Sequence, residues 1–160
     1  MREIRYRGIG IAERKWVFGS LWFDTRNKAT LIWSEELKYW VRVDPATVGQ
    51  YTGLKDEHGK EIYEGDVIRS PLSEDKTRPH RIFYHTGNAA FMGALVDRKE
   101  LCYLRLDQDW IYKFGKEVIG NIHDNPELIE KQTAERHKNK NSMFKKLDYQ
   151  VFPSEEKTIC

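Results

Sequence analysis

Residues 44–68 read DPATVGQYTGLKDEHGKEIYEGDVI, and how this stretch turns decides the fold. Asp44-Pro45 has the form of a short helical turn, with Asp as cap and Pro at its first position. Val48 to Thr52 extends as a strand that Gly53 is expected to stop. Lys55-Asp56-Glu57-His58-Gly59 is polar, ends in Gly and separates two apolar runs, as a hairpin loop must. Glu61-Ile62-Tyr63 then returns as the second strand. Gly65-Asp66 makes a further turn or bulge, and Val67-Ile68 resumes β structure. Gly49, Gly53, Gly59 and Gly65 all fall where a turn, a bulge or close backbone approach is needed, and Asp66 is placed to cap its turn. A compact β unit follows.

The wording of this stretch resembles the YopX family of bacteriophage and prophage proteins. The matching residues are Gly49, Gln50, Tyr51, Thr52, Gly53, Leu54, Lys55, Asp56, Gly59, Ile62, Tyr63, Gly65 and Asp66. Downstream, EVIGNIHDNPELIE (117–130) matches the family's later block at Ile119, Gly120, Asn121, Asn125, Pro126, Glu127 and Leu128. His123 departs from the Tyr more usual there. The opening MREIRYRGI is similar to the family's start, so the resemblance spans roughly residues 1 to 130. It implies a mostly-β protein whose C-terminal part is an SH3-type barrel, encoded by a phage or prophage. It carries over no catalytic residue.

Outward from the centre, the N-terminal part reads as short strands. Arg2 to Tyr6 alternates, Lys15 to Phe18 and Leu21 to Phe23 are aromatic-rich, and Thr25 to Lys28 is a turn before Ala29 to Trp33. Lys38 to Val43 alternates again, with Tyr39, Val41 and Val43 on one face and Trp40 and Arg42 on the other. Trp16, Trp22, Trp33 and Trp40 all fall in this region. The first expectation is that most of them form the core of a small β subdomain; the alternative is exposure for burial against another subunit. Beyond the central stretch, a charged loop runs from 69 to 80. Strands are then expected at Arg81 to Tyr84, Ala89 to Leu95, Leu101 to Leu106 and Glu117 to Ile122. Asp107-Gln108-Asp109 reads as a turn and Trp110 to Phe114 as the strand after it. The first helix signal is Asn125 as cap with Pro126 behind it. Strands at short spacing favour a barrel or roll. The division expected is 1–43 as an N-terminal β-rich region, 44–124 as the barrel region, and 125–160 as a short helix and variable tail.

Charge separates the tail from the rest. The chain has 27 Lys and Arg against 25 Asp and Glu; 20 and 21 of these lie in residues 1–130, leaving 7 and 4 in 131–160. Strong nucleic-acid binders concentrate positive charge more than this. No apolar run reaches membrane-spanning length and no signal-peptide pattern opens the chain, so the expected location is the bacterial cytoplasm. Cys102 and Cys160 fit neither a disulfide framework nor zinc spacing, and Cys102 reads as a small core residue.

Catalytic constellations are thin. Asp107 and Asp109 can in principle share a metal or an acid/base role, and His123-Asp124 is a lone pair. Carboxylates flanking a turn are ordinary turn chemistry. His80, His85 and His123 lack a second ligand at metal spacing. No nucleophile motif, phosphate loop or dinucleotide fingerprint is present. The expectation is no enzyme, no cofactor and no metal. A strand-tracking nucleic-acid surface would draw on Tyr51, Lys55, Lys60 and Arg81, with Tyr63 and Tyr84 beside them. The favoured reading is a protein-interaction or oligomeric adaptor module, self-associating or bound to a host or phage protein. The tail's Met143, Phe144, Leu147, Tyr149, Val151 and Phe152 supply apolar material for docking.

Overall fold

The computed structural model describes residues 3–71, 79–96 and 103–129. Cys102, Cys160, most of the charged loop and the tail beyond 129 lie outside the described residues. Strands β1 (Tyr6–Ile9), β2 (Trp16–Asp24), β3 (Ala29–Ser34), β4 (Tyr39–Arg42), β5 (Gly49–Lys55) and β6 (Glu61–Tyr63) come first. They are followed by β7 (Asp66–Arg69), β8 (His80–His85), β9 (Ala90–Leu95), β10 (Tyr103–Arg105), helix α1 (Gln108–Lys113) and β11 (Glu117–Asn121). They form two antiparallel sheets, β4-β3-β2-β1-β5-β6 and β10-β9-β8-β7-β11. The fold is mostly β, as expected. Among the described residues the second sheet is open, with no pairing that joins β10 to β11, so a closed SH3-type barrel is not what these strands make.

The central stretch is the joint between the sheets. Asp44 caps a short 3-10 turn over Pro45–Thr47, its carboxylate accepting from the Ala46 N–H at 3.0 Å. β5 then pairs with β1, and β6 with β5, so this hairpin completes the N-terminal sheet. Its side chains face the other way in the fold. Ile62, fully buried, and Leu54 pack with Ile68, Ile82, Phe91, Leu106 and Ile111 in the core of the second sheet. Backbone pairing to one sheet and side-chain packing on the other make residues 49–63 shared property of the two sheets. Gly53 does not end the strand; at φ +84° it carries a bulge between Tyr51 and Lys55, and β5 runs on to the loop.

The N-terminal sheet curls around a smaller core of Val17, Ile32 and Val43, flanked by Tyr6, Leu21, Val41 and Val48. A bridge between Gly10 and Val43, with the Asp44 N–H to the Ile9 carbonyl at 2.9 Å, brings the end of β1 back against the end of β4. The two aromatic runs before and after Gly19 form one strand, β2. Gly19 lets it pass β3 closely: a Cβ there would sit 1.8 Å from the Trp33 carbonyl oxygen.

Residues 107–114 are corrected from turn and strand to a helix. Asp107 is an N-cap, its carboxylate accepting from the Trp110 N–H at 2.8 Å, and Asp109 lies in the first turn. Ile111 points into the second core at 0% exposure. At the other end, the Leu128 and Ile129 N–H groups bond to the Asn125 and Pro126 carbonyls, so a helical turn starts where the Asn125-Pro126 signal put it.

Candidate interaction surface

The registers of β2, β3 and β4 sort the N-terminal tryptophans onto one face. Ile32 opposes Leu21 and Val41, and this row turns inward. Trp33 opposes Trp40, and Trp22 opposes Leu31, on the other side of the pleat. Trp40 packs against both others, with ring centroids 5.3 Å from Trp22 and 5.6 Å from Trp33. Yet Trp22 remains 53% exposed and Trp40 41%. The expectation that most of these tryptophans form the core is overturned. β-branched residues fill the interior of this strongly curled sheet, and the large rings cover its outside. Phe18, on the Trp22 side of β2, is also exposed, whereas the exposed Phe23 and Tyr39 alternate onto the side of Leu21 and Val41.

Trp16 belongs to a different group, at the junction of the sheets. The Arg7 guanidinium lies over both the Trp16 ring (4.7 Å) and the Tyr63 ring (5.0 Å) and pairs with Asp66 at 2.6 Å. Trp16 donates its indole N–H to Asp124 at 2.7 Å and packs on His123. Burial is the main cause that lowers the His123 pKa below 6.5, with the Arg7 charge adding to it. Burial likewise pushes the Tyr63 hydroxyl far above its ordinary value, helped by its hydrogen bond to Glu61. Arg5 also pairs with Glu61, and sits over the Tyr51 ring.

Beside β4 lies a cleft of about 660 Å³, between the β1–β2 turn (Ile11 to Lys15) and the β3–β4 turn (Glu35 to Leu37). Val17, Tyr39 and Val41 are among the apolar residues that line it.

The residues of the two sequence blocks hold the scaffold. Asp56, at 2% exposure, accepts from the His58, Lys60 and Val118 N–H groups, locking the hairpin loop and tying it to β11. The Lys55 backbone is clamped by both ends of the Gln108 amide. Thr52 donates its hydroxyl to the Ile62 carbonyl. Gly49 lies against the Glu64 carbonyl, where a Cβ would come within 2.4 Å, and Gln50 accepts the Glu64 N–H. Asp66 caps its turn by accepting the Tyr63 N–H at 2.7 Å, as expected; its ion pair with Arg7 was not foreseen. Ile119 is the extra residue of a register shift between Val118 and Gly120 in β11, and Asn121 accepts from His123 and Asp124 while Asn125 accepts from Asn121. Pro126 opens the helical turn that follows.

The proposed nucleic-acid residues are spread differently. Tyr51 is buried between Arg5 and Tyr63, with no face left for a base. Lys55 and Lys60 are exposed at the β5–β6 loop, whereas Arg81 is exposed on β8 in the second sheet. Tyr63 is buried and Tyr84 is half-exposed against Phe91. Asp107 caps α1 and Asp109 lies in its first turn, whereas His123 packs on Trp16. His85 caps the Thr86–Asn88 turn, and His80 stands edge-on to Trp110 at 5.9 Å. Among the described residues, the group of three possible metal ligands with atoms within 4.8 Å is Glu57, His58 and Glu117. Arg69 also holds Glu117 at 3.1 Å, which makes the group a surface charge network. No helix among the described residues is long and apolar enough to cross a membrane.

A family model described as YopX protein matches residues 5–130. The crystal structure of protein EF1440 from Enterococcus faecalis is similar, at 25% identity and a TM-score of 0.53, over 81% of this chain and 99% of that one. No curated protein matches the chain.

Proposed function

The chain belongs to the YopX protein family, and from that premise we propose that it is a non-enzymatic protein-interaction module that self-associates through the outer face of its N-terminal sheet. One observation carries the reading: Trp22, Trp33 and Trp40 pack together, tilted and edge-on, on one outer sheet face instead of filling the core. Trp is costly to leave in water and is favoured at the centres of interfaces, where its large area is buried at small entropic expense. A second copy is the occupant favoured, since one aromatic face meeting its own image forms a closed isologous contact. A host or phage protein on the same face is the further role of an adaptor.

Nucleic-acid binding remains the second reading, and the placement of the four residues suggested for it supports it weakly. Tyr51 is buried, and Arg81 stands in a different sheet from Lys55 and Lys60. Serine at Trp22 and Trp40 tests the favoured reading through the mass in solution. Labelled single- and double-stranded DNA, titrated at low and moderate salt, tests the other; affinity falling steeply with salt would favour it.

A further inference from the structure

Glu57 and His58 on the β5–β6 loop meet Glu117 on β11, some 60 residues further along the chain, and backbone bonds fix the loop against the strand. The Glu57 N–H donates to the Lys116 carbonyl at 3.0 Å. The Val118 and His58 N–H groups both donate to the Asp56 carboxylate, at 3.1 and 2.9 Å. Three side chains are thereby brought to one point. His58 Nε2 lies 3.4 Å from Glu57 Oε1 and 3.8 Å from Glu117 Oε2, and one ligand atom from each residue falls within 4.8 Å of the other two. Donors about 2.1 Å from a shared ion stand roughly 3–4 Å apart, so this is the spacing of a common ion. Glu117 divides its two oxygens: Oε1 takes Arg69 at 3.1 Å, and Oε2 turns to His58. An outer partner on one oxygen is the usual support of a ligating carboxylate. The Glu57 and Glu117 side chains are only 26% and 25% exposed, so solvent screens their mutual repulsion incompletely. Arg69 offsets one of the two charges, and the imidazole offsets the other only when it is protonated.

We propose that Glu57, His58 and Glu117 bind one divalent first-row transition ion of the zinc type. One imidazole with two carboxylates suits such an ion, whereas magnesium and calcium favour oxygen donors throughout. The ion replaces the proton as the positive charge between the two carboxylates, taking His58 through Nε2. A fourth position stays open to solvent. Bound there, the ion links the hairpin that completes the first sheet to the edge strand of the second, and adds a staple across their joint. The site uses none of the tryptophans, so it neither requires nor implies self-association.

Isothermal titration of the full chain with zinc chloride tests this. One ion per chain is expected, with a Kd well below about 1 mM, and the thermal unfolding midpoint should rise as zinc is added. His58→Ala, at the most exposed of the three positions, should weaken binding at least about tenfold and remove most of that rise while circular dichroism stays unchanged. Glu57→Gln should weaken it as well. Binding should also fall as the pH is lowered, because a proton competes for Nε2. Cobalt separates this site from one built on the chain's two cysteines, since nitrogen and oxygen donors give no thiolate charge-transfer band. Binding at about 1 mM or weaker shows an adventitious ion only and overturns the proposal. Affinity unchanged in His58→Ala overturns it too, as does a cobalt spectrum dominated by the thiolate band.

Discussion

Arg7 on β1 and Asp66 at the head of β7 meet at 2.6 Å with side chains only 9% and 2% exposed, and so pin the first sheet to the second. The pair is roofed by Trp16 and Tyr63. Arg7→Met should therefore strand a buried carboxylate and cost about 3–5 kcal/mol at neutral pH. Adding Asp66→Asn should restore much of that loss, because no charge is then left unpaired. Burial pushes the Asp66 carboxyl above its ordinary 3.8, with Arg7 opposing the rise. A raised folded value means that its favourable contribution is complete below 3.8 and is lost as pH rises through the folded value. Without Arg7 the rise is larger, so the gap between Arg7→Met and the unaltered chain should narrow as pH falls toward 4. Urea midpoints measured across that range check both statements.

Asp56 replaces three backbone partners with one side chain. Asp56→Ala removes the acceptor for His58, Lys60 and Val118 together and should cost at least about 2 kcal/mol. Asp56→Asn keeps one carbonyl oxygen and should cost less. Faster amide exchange at Val118 in the alanine variant would show that the link from the hairpin to β11 has been cut; unchanged exchange there would show that it has not.

Lys116 is buried with its ammonium 4.5 Å from the Trp110 ring centroid, and burial lowers its pKa below 10.5. The unfolded chain thus binds the extra proton between the lowered value and 10.5, so stability rises with pH across that window and falls as pH drops through the folded value. Lys116→Met keeps the packing on Trp110 and removes the buried charge. Its unfolding midpoint at pH 7 should be equal or higher, by up to about 1 kcal/mol, and the rise with pH in that window should disappear.

Much of this architecture was legible in the chain. The Lys55–Gly59 loop, the Gly65-Asp66 turn and the Asp44-Pro45 cap each have local chemistry that dictates a local shape, and each was found where the residues put it. Two features were not legible, for physical reasons. In β2, WVFGSLWFD is apolar on both faces, so alternation cannot say which side is the core, and the burial of Trp22 and Trp40 was misjudged. Gly19 conceals the matter further by joining two aromatic runs into one strand. In 107–113 a six-residue helix is too short to show a helical period, and the signal that did exist, Asp107 three residues ahead of Trp110 as an N-cap, was read as a turn. The Arg7–Asp66 pair spans most of the first sheet in sequence, and nothing local in either residue announces the other.

The mass in solution by light scattering tests the central claim most directly, on the full chain and on Trp22→Ser/Trp40→Ser over a range of concentrations. The full chain is expected at a multiple of the monomer mass, and the variant is expected to be monomeric yet as well folded. A full chain that stays monomeric throughout, or a variant that associates as the full chain does, would contradict it.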